Sequence, residues 1–272
     1  MGLNAQSPIG VFDSGVGGLT VLQEIYRQMP WESIVYFGDT DRLPYGKRSQ
    51  TEIITFVREI LDWLASQQVK MVIMACNTSS ALALEVLRPY YPFPILGVIL
   101  PGAKSAVERG KKIGIIGTTA TVNSNAYPDA IREISRGDAQ VWQVACPEFV
   151  PLIEQGRIFD PYTKAVALEY LRPLLVKQID TLVFGCTHYP HLAPVLKQIL
   201  PPHITLVNPA ISVTRAALQE LSLLGLSHPY STGQTRFCVS GCPEQFAQLA
   251  SRWLGEIPEV EKLVPSAVRL AS

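Results

Sequence analysis

The feature that most constrains this chain is an internal repeat. Ile9-Gly10-Val11-Phe12, followed by Asp13-Ser14-Gly15, resembles Ile113-Gly114-Ile115-Ile116, followed by Gly117-Thr118-Thr119. Further along, Met71-Val72-Ile73-Met74-Ala75-Cys76-Asn77-Thr78 resembles Thr181-Leu182-Val183-Phe184-Gly185-Cys186-Thr187-His188. The order is the same in both copies and the gaps are similar, about 63 residues from Asp13 to Cys76 and about 69 from Gly117 to Cys186. Two copies of one α/β unit explain this pattern. If their strand ends face each other across a cleft, Cys76 and Cys186 point at one ligand from opposite sides.

Short β-rich apolar runs alternate with longer stretches of helical period. Strands are expected at 9–12, 34–37, 71–74, 113–116, 139–144, 181–184 and 205–207. Between them, Ile53, Val57, Ile60, Leu61 and Leu64 recur at the spacing of one helix face. This is the βα alternation of a parallel sheet covered on both sides. The expected fold is therefore α/β, with two pseudo-symmetric domains, mainly parallel sheets and the active site in the interdomain cleft. With roughly 150 residues per domain, 272 residues suit two domains. Pro92, Pro94 and Pro101 punctuate the end of the first copy, and the residues after Asn208 form no third copy. The first domain is thus expected to comprise residues 1–100 plus 209–272, carrying Asp13 and Cys76, and the second residues 101–208, carrying Cys186 and His188.

Lys plus Arg equals Asp plus Glu, for a formal net charge of zero, and no basic cluster supplies the footprint that nucleic acid or an anionic membrane surface requires. The expected partner is a small molecule. No apolar run reaches the ~18 residues of a membrane-spanning helix, and residues 1–8 lack a basic segment with an apolar core. The expected location is the cytoplasm. Five cysteines suit free thiols in a reducing compartment better than a disulfide framework.

In open α/β sheets ligands bind beyond the carboxyl ends of the strands, so polar residues just after a strand are the candidates. Cys76 and Cys186 both occupy that position, each with a polar follow-on. Cysteine often packs as a small hydrophobe, but packing does not require this matched placement. A helix N-terminus or a nearby protonated histidine stabilises a thiolate, and His188 lies two residues from Cys186. Cys238 lies in a strand-like run, Arg236-Phe237-Cys238-Val239, and reads as structural; Cys146 follows a strand and has no counterpart in the repeat. Zinc is disfavoured, because it usually needs two tight pairs: Cys238 with Cys242 makes one C-x-x-x-C pair, but His188 to His191 is too short a spacing for a second. Asp13-Ser14-Gly15-Val16-Gly17-Gly18 is a turn in which backbone can approach a ligand and amides can hold a carboxylate, or one in which Asp13 or Ser14 merely caps a helix. It lacks the order of a nucleotide fingerprint. Asp39 and Glu154 are carboxylates that are either functional or merely solvated.

At these residues the sequence resembles the glutamate racemases of the aspartate/glutamate racemase superfamily. The carrying segments are Asp13 to Gly18, Asp39-Thr40 with Pro44-Tyr45-Gly46, Ala75-Cys76-Asn77-Thr78, Thr118 to Thr121, and Gly185-Cys186-Thr187-His188-Tyr189-Pro190. The resemblance implies an enzyme with no cofactor, neither pyridoxal phosphate nor metal, that acts on L- and D-glutamate, and a role supplying D-glutamate for peptidoglycan. It implies that Cys76 takes the α-proton from D-glutamate and Cys186 from L-glutamate, with Asp13 assisting Cys76 and His188 beside Cys186. Ser14, Tyr45, Gly46, Asn77, Thr78, Thr187 and His188 match substrate contacts, with Asp13 among them, and Asp39, Thr118, Thr119, Thr121 and Glu154 are accessory candidates. A homodimer is expected.

Racemisation through a planar carbanion requires a base on one face and an acid on the other, and two thiols can exchange those roles. Without an electron sink, preorganised donors must stabilise the charge developing on the carboxylate. None of the motifs contains a basic residue other than His188, so specificity is expected from amides and hydroxyls of the Thr118 to Thr121 region. Asp13 follows the start by a dozen residues, leaving no segment like the activator-binding extension of some family members; control by a cell-wall precursor is therefore not expected. The alternatives are a racemase for another amino acid, a one-cysteine decarboxylase, an amino-acid-binding protein and a thiol hydrolase built on Cys186 and His188. The last has no use for Cys76.

Overall fold

The computed structural model describes residues 4–228 and 232–263. The ends of the expected first domain, residues 1–3 and 264–272, lie outside the described residues. Among the described residues, ten strands form two sheets: β1 (Ile9–Asp13), β2 (Ile34–Gly38), β3 (Met71–Met74), β4 (Ile95–Gly97), β5 (Lys112–Gly117), β6 (Gln140–Ala145), β7 (Thr181–Gly185), β8 (Thr205–Val207), β9 (Thr235–Val239) and β10 (Val260–Lys262). One sheet has the order β10-β9-β2-β1-β3-β4 and the other β6-β5-β7-β8. Every pairing is parallel.

The repeat is visible in this topology. β1 lies between β2 and β3, and β5 lies between β6 and β7, so the core order β2-β1-β3-β4 of the first sheet recurs as β6-β5-β7-β8 in the second. Each expected strand falls on one of these elements, with ends differing by about one residue. β4 and β10 were not anticipated. Each spans three residues, too few for an alternating pattern, and β10 is largely exposed. After β8 the chain returns to the first sheet, where β9 pairs with β2 and β10 with β9.

β1, β2, β3 and β7 are buried along their whole length, the signature of parallel strands covered on both faces. The helix Gln50–Ser66 covers one face of the first sheet. It begins with a reciprocal capping box between Ser49 and Glu52 and buries Ile53, Val57, Ile60, Leu61 and Leu64. Those side chains join Phe12, Val72 and Met74 in one cluster. A second cluster lies between the sheets, uniting Val11 and Ile73 of the first with Ile113, Ile115 and Val183 of the second through the helices Leu19–Gln28, Ile99–Val107 and Pro209–Leu223. This shared core sets how the strand ends of the two sheets meet. A third cluster, including Phe149, Leu171, Leu182 and Phe184, covers the outer face of the second sheet.

At the far end of the first sheet, Lys70 and Glu32 form a buried ion pair at 2.5 Å. The Lys70 ammonium also donates to the carbonyls of Ala5 and Leu226 at 2.7 and 2.8 Å. Glu32 accepts the His228 amide at 2.9 Å, so the pair ties together the approaches to β1, β3 and β9. Removing one member of such a pair strands a charge in the interior, at a cost of about 3–5 kcal/mol. Glu32→Ala is expected to lower the stability measured by chemical denaturation by that order; a change below about 1 kcal/mol would show that the pair is already solvated.

Candidate active site

β1 and β3 run parallel in one sheet and β5 and β7 in the other, and their carboxyl ends deliver Asp13, Cys76, Thr118 and Cys186 to one cleft. These residues line a cleft of about 360 Å³ together with Ser14, Tyr45, Gly46, Asn77, Thr78, Thr119, Glu154, Thr187 and His188. Asp39 and Thr121 stand behind its wall. Asp39 is fully buried, takes hydrogen bonds from Tyr45 and, at 2.8 Å, from Ser240, and pairs with Arg42. It anchors the Tyr45 ring and thereby shapes the cleft. Thr121 donates its amide to Thr118 Oγ1 at 3.2 Å, capping the helix Thr119–Asn123, while Thr118 and Thr78 hydroxyls meet at 3.1 Å across the sheets.

The surroundings of the two thiols differ. Cys76 is 5% exposed at the N-terminus of the helix Asn77–Leu82. Burial, reinforced by the charge of Asp13, pushes its pKa up to about 12, against partial relief from the hydroxyl and amide of Ser79. Cys186 is 6% exposed, and its Sγ lies 3.8 Å from Nδ1 of His188, whose Nε2 lies 3.1 Å from Glu154 Oε1. Burial alone opposes a charged imidazole, but hydrogen bonds to Cys186 and Glu154 and the charges of Cys186 and Asp13 outweigh it, raising His188 to about 10. At neutral pH His188 therefore holds a cation beside the Cys186 sulfur, whereas Cys76 keeps its proton.

Asp13 is buried, and its pKa is raised by that burial and lowered in part by His188 and by the amides it accepts. Those amides are Gly15 and Gly18, at 3.1 and 2.9 Å. The glycine-rich turn does bind a carboxylate, but it is the turn's own Asp13. Its glycines serve a second close approach: a Cβ on Gly17 would stand 2.3 Å from His188 Nδ1 and 2.6 Å from Thr187 Oγ1. Thr187 further donates to Asp13 at 3.5 Å and accepts Thr20 Oγ1 on its carbonyl at 3.1 Å. Gly46 is similarly forced, since its Cβ would meet Thr118 at 2.9 Å.

Several lining residues lay outside the motifs read from the sequence. Lys47, directly after Pro44-Tyr45-Gly46, is an exposed side chain on the rim, so the cleft does have a lysine in its wall. Val150, Pro151 and Gln155 come from the helix Phe149–Glu154 and its end, and Cys146 adds to the second-sheet side beside Tyr189 of the Cys186 motif. Trp253, on the helix Pro243–Leu254, meets His188 edge-on at 5.8 Å and stacks on His191 at 4.3 Å. Burial and the His188 charge push His191 down to about 4, so the two histidines hold opposite states. Cys238 is fully buried in β9, and exposed Cys242 hydrogen-bonds Glu244 at 3.0 Å. Among the described residues no group of three or more His, Cys, Asp or Glu is arranged to hold a metal ion, and no helix is long and apolar enough to cross a membrane.

Two thiols at the ends of β3 and β7 line one cleft with a carboxylate and an imidazole, all groups able to carry a proton. Residues 9–221 match the Asp/Glu/Hydantoin racemase family. The chain belongs to that family. It is 65% identical over 256 residues to the glutamate racemase of Nostoc sp., covering 94% of this chain and 87% of that one. It is also 65% identical over 258 residues to that of Synechocystis sp., covering 95% and 92%. Its structure is similar to a glutamate racemase from Bacillus anthracis, with a TM-score of 0.92 at 38% identity over 95% and 97% of the two chains. The Francisella tularensis glutamate racemase in complex with D-glutamate aligns with a TM-score of 0.89 at 34% identity over 96% and 98%.

The raised His188 pKa gives a pH test. A raised folded-state value contributes stability that is fully present below the ordinary histidine pKa near 6.5 and is lost as pH rises through about 10. Glu154→Gln removes one of the groups responsible. The His188 ring resonance, followed by NMR, is expected to titrate near 10 in the parent and clearly lower in the variant. An unchanged midpoint would show that Glu154 does not hold the His188 charge.

Proposed function

We propose that this chain is a glutamate racemase that interconverts L- and D-glutamate by a two-base proton transfer between Cys76 and Cys186. The observation that carries the reading is the placement of both thiols, at matched ends of β3 and β7, in the wall of one small cleft. Relatives bearing that name at 65% identity support the choice of glutamate.

On this reading, L-glutamate binds with its α-carbon between the sulfurs. Cys186 takes the α-proton, forming an S–H bond as the C–H bond breaks, and the His188 cation stands beside the sulfur that begins the cycle as a thiolate. The electron pair left on carbon delocalises into the α-carboxylate. Cys76, held protonated by burial and by Asp13, delivers its proton to the opposite face and becomes the thiolate. The reverse reaction exchanges the roles, and the cycle needs no cofactor. Ser14, Asn77, Thr78, Thr118, Thr119 and Thr187, with amides such as that of Gly46, supply donors for the two carboxylates, and Tyr45, placed by Asp39, closes one wall. A neutral donor contributes about 0.5–1.5 kcal/mol and roughly double towards a charged acceptor, so several must act together.

The proposal includes two units, residues 1–100 with 209–272 and residues 101–208, assembled as a homodimer in the cytoplasm and supplying D-glutamate for peptidoglycan. Its chemistry is tested with cysteine variants and a glutamate analogue bearing a β-leaving group. Elimination needs one base and no reprotonation on the other face, and a serine hydroxyl is a far weaker base than a thiolate. Cys76→Ser and Cys186→Ser are each expected to abolish racemisation. Cys76→Ser should still eliminate from the L-analogue and not the D-analogue, and Cys186→Ser the reverse. Equal loss of both eliminations in folded, glutamate-binding variants would defeat the two-base assignment.

A further inference from the structure

Asn77 lines the cleft and is the first residue of the helix after Cys76, but its orientation is set from the other sheet's side of the molecule. The hydroxyl of Tyr127, in the helix Ala126–Ile134 that follows β5, meets the Asn77 Oδ1 at 2.8 Å. Tyr127 is fully buried, and the backbone of Gly102 closes in behind it: a Cβ there would stand 3.3 Å from the phenol oxygen. The two possible orientations of the carboxamide are not equivalent in this setting. With Oδ1 towards the phenol, the buried O–H donates and is satisfied. With the amide reversed, the phenol hydrogen is orphaned in the interior, and a carbonyl oxygen faces the space a substrate carboxylate must occupy.

We infer that Tyr127 is a positioning residue that locks the Asn77 carboxamide with its Nδ2 donor turned to the cleft, and so sets the affinity for the carboxylate of an α-amino acid substrate. The inference rests on the reading of the cleft as a glutamate site. Burial drives the Tyr127 pKa upward, with the nearby Cys186 charge adding to it, so the phenol retains the hydrogen it donates throughout the working range. Because Tyr127 and Asn77 come from helices that follow β5 and β3, the contact also makes donor alignment depend on how the two sheets are held against each other. A misaligned Asn77 weakens a contact already made in the ground state, because the carboxylate is charged before the proton moves, and only the further charge that develops on it adds an effect on kcat. The effect therefore belongs in KM more than in kcat.

The test is a double-mutant cycle on the full chain. Tyr127→Phe is expected to raise KM for both glutamate enantiomers about fivefold or more, with kcat within about threefold, and to produce no further rise in an Asn77→Ala background. In the unliganded protein, the Asn77 side-chain amide resonances should shift and exchange faster with solvent in Tyr127→Phe. The same KM increase in both backgrounds, or no increase together with unchanged amide resonances, would overturn the inference. If the parent protein fails to racemise glutamate, the proposed function falls, while the amide readout still decides whether Tyr127 holds Asn77.

Discussion

The two thiols of the cleft stand beside groups of opposite charge, the Asp13 carboxylate near Cys76 and the His188 imidazolium near Cys186. Burial holds the proton on Cys76, and the Asp13 carboxylate, buried at the end of β1, adds to that effect. His188, raised to about 10 through its contacts with Cys186 and Glu154, places a cation beside the other sulfur. Neither group could do this in water, where both interactions would be screened. Burial of Cys76, Cys186, Asp13 and His188 therefore strengthens both interactions.

The path from sequence to that cleft runs through strand direction. Parallel strands covered on both faces put all their carboxyl ends on one side, and two copies of the same unit, packed on one shared cluster, turn those ends towards each other. The glycine at position 17 then allows the β1 turn to press against Thr187 and His188, where any side chain would collide. Thr20 and Asp13 each hydrogen-bond Thr187, and Thr78 meets Thr118. These cross-sheet contacts are short and polar, so a change in the mutual placement of the sheets would be felt at the cysteines, at Thr187 and at the Asn77 carboxamide alike.

The repeat made β1, β3, β5 and β7 legible, and with them the matched positions of Cys76 and Cys186, because strand length and apolar content are local properties. β4 and β10 were hidden by their three-residue length. The other misses are tertiary. For Asp39, an accessory candidate after a strand, what stayed hidden is its set of partners: packing gives it Arg42, Tyr45 and Ser240, and no spacing in the sequence brings Ser240 to it. Lys47 adjoins a recognisable turn but carries no pattern of its own; Tyr127 and Trp253 reach the site from helices whose periodicity marks them only as packing residues. The sequence left open whether the amides of the glycine-rich turn bind a ligand or a capping Asp13 or Ser14, and Asp13 accepts those of Gly15 and Gly18.

The central claim is that protons are removed and delivered on opposite faces by different groups, and the most direct measurement is the fate of the α-hydrogen in heavy water. L-glutamate incubated with the purified protein in deuterated solvent, sampled at low conversion, is predicted to give D-glutamate that is fully deuterated at the α-carbon while the remaining L-glutamate keeps its hydrogen. The acid that reprotonates one face would then have been loaded from solvent, not from the base that worked on the other. D-glutamate that retains the substrate's own hydrogen, or equal labelling of both enantiomers at the earliest times, would contradict the account, because either result requires a single group to serve both faces.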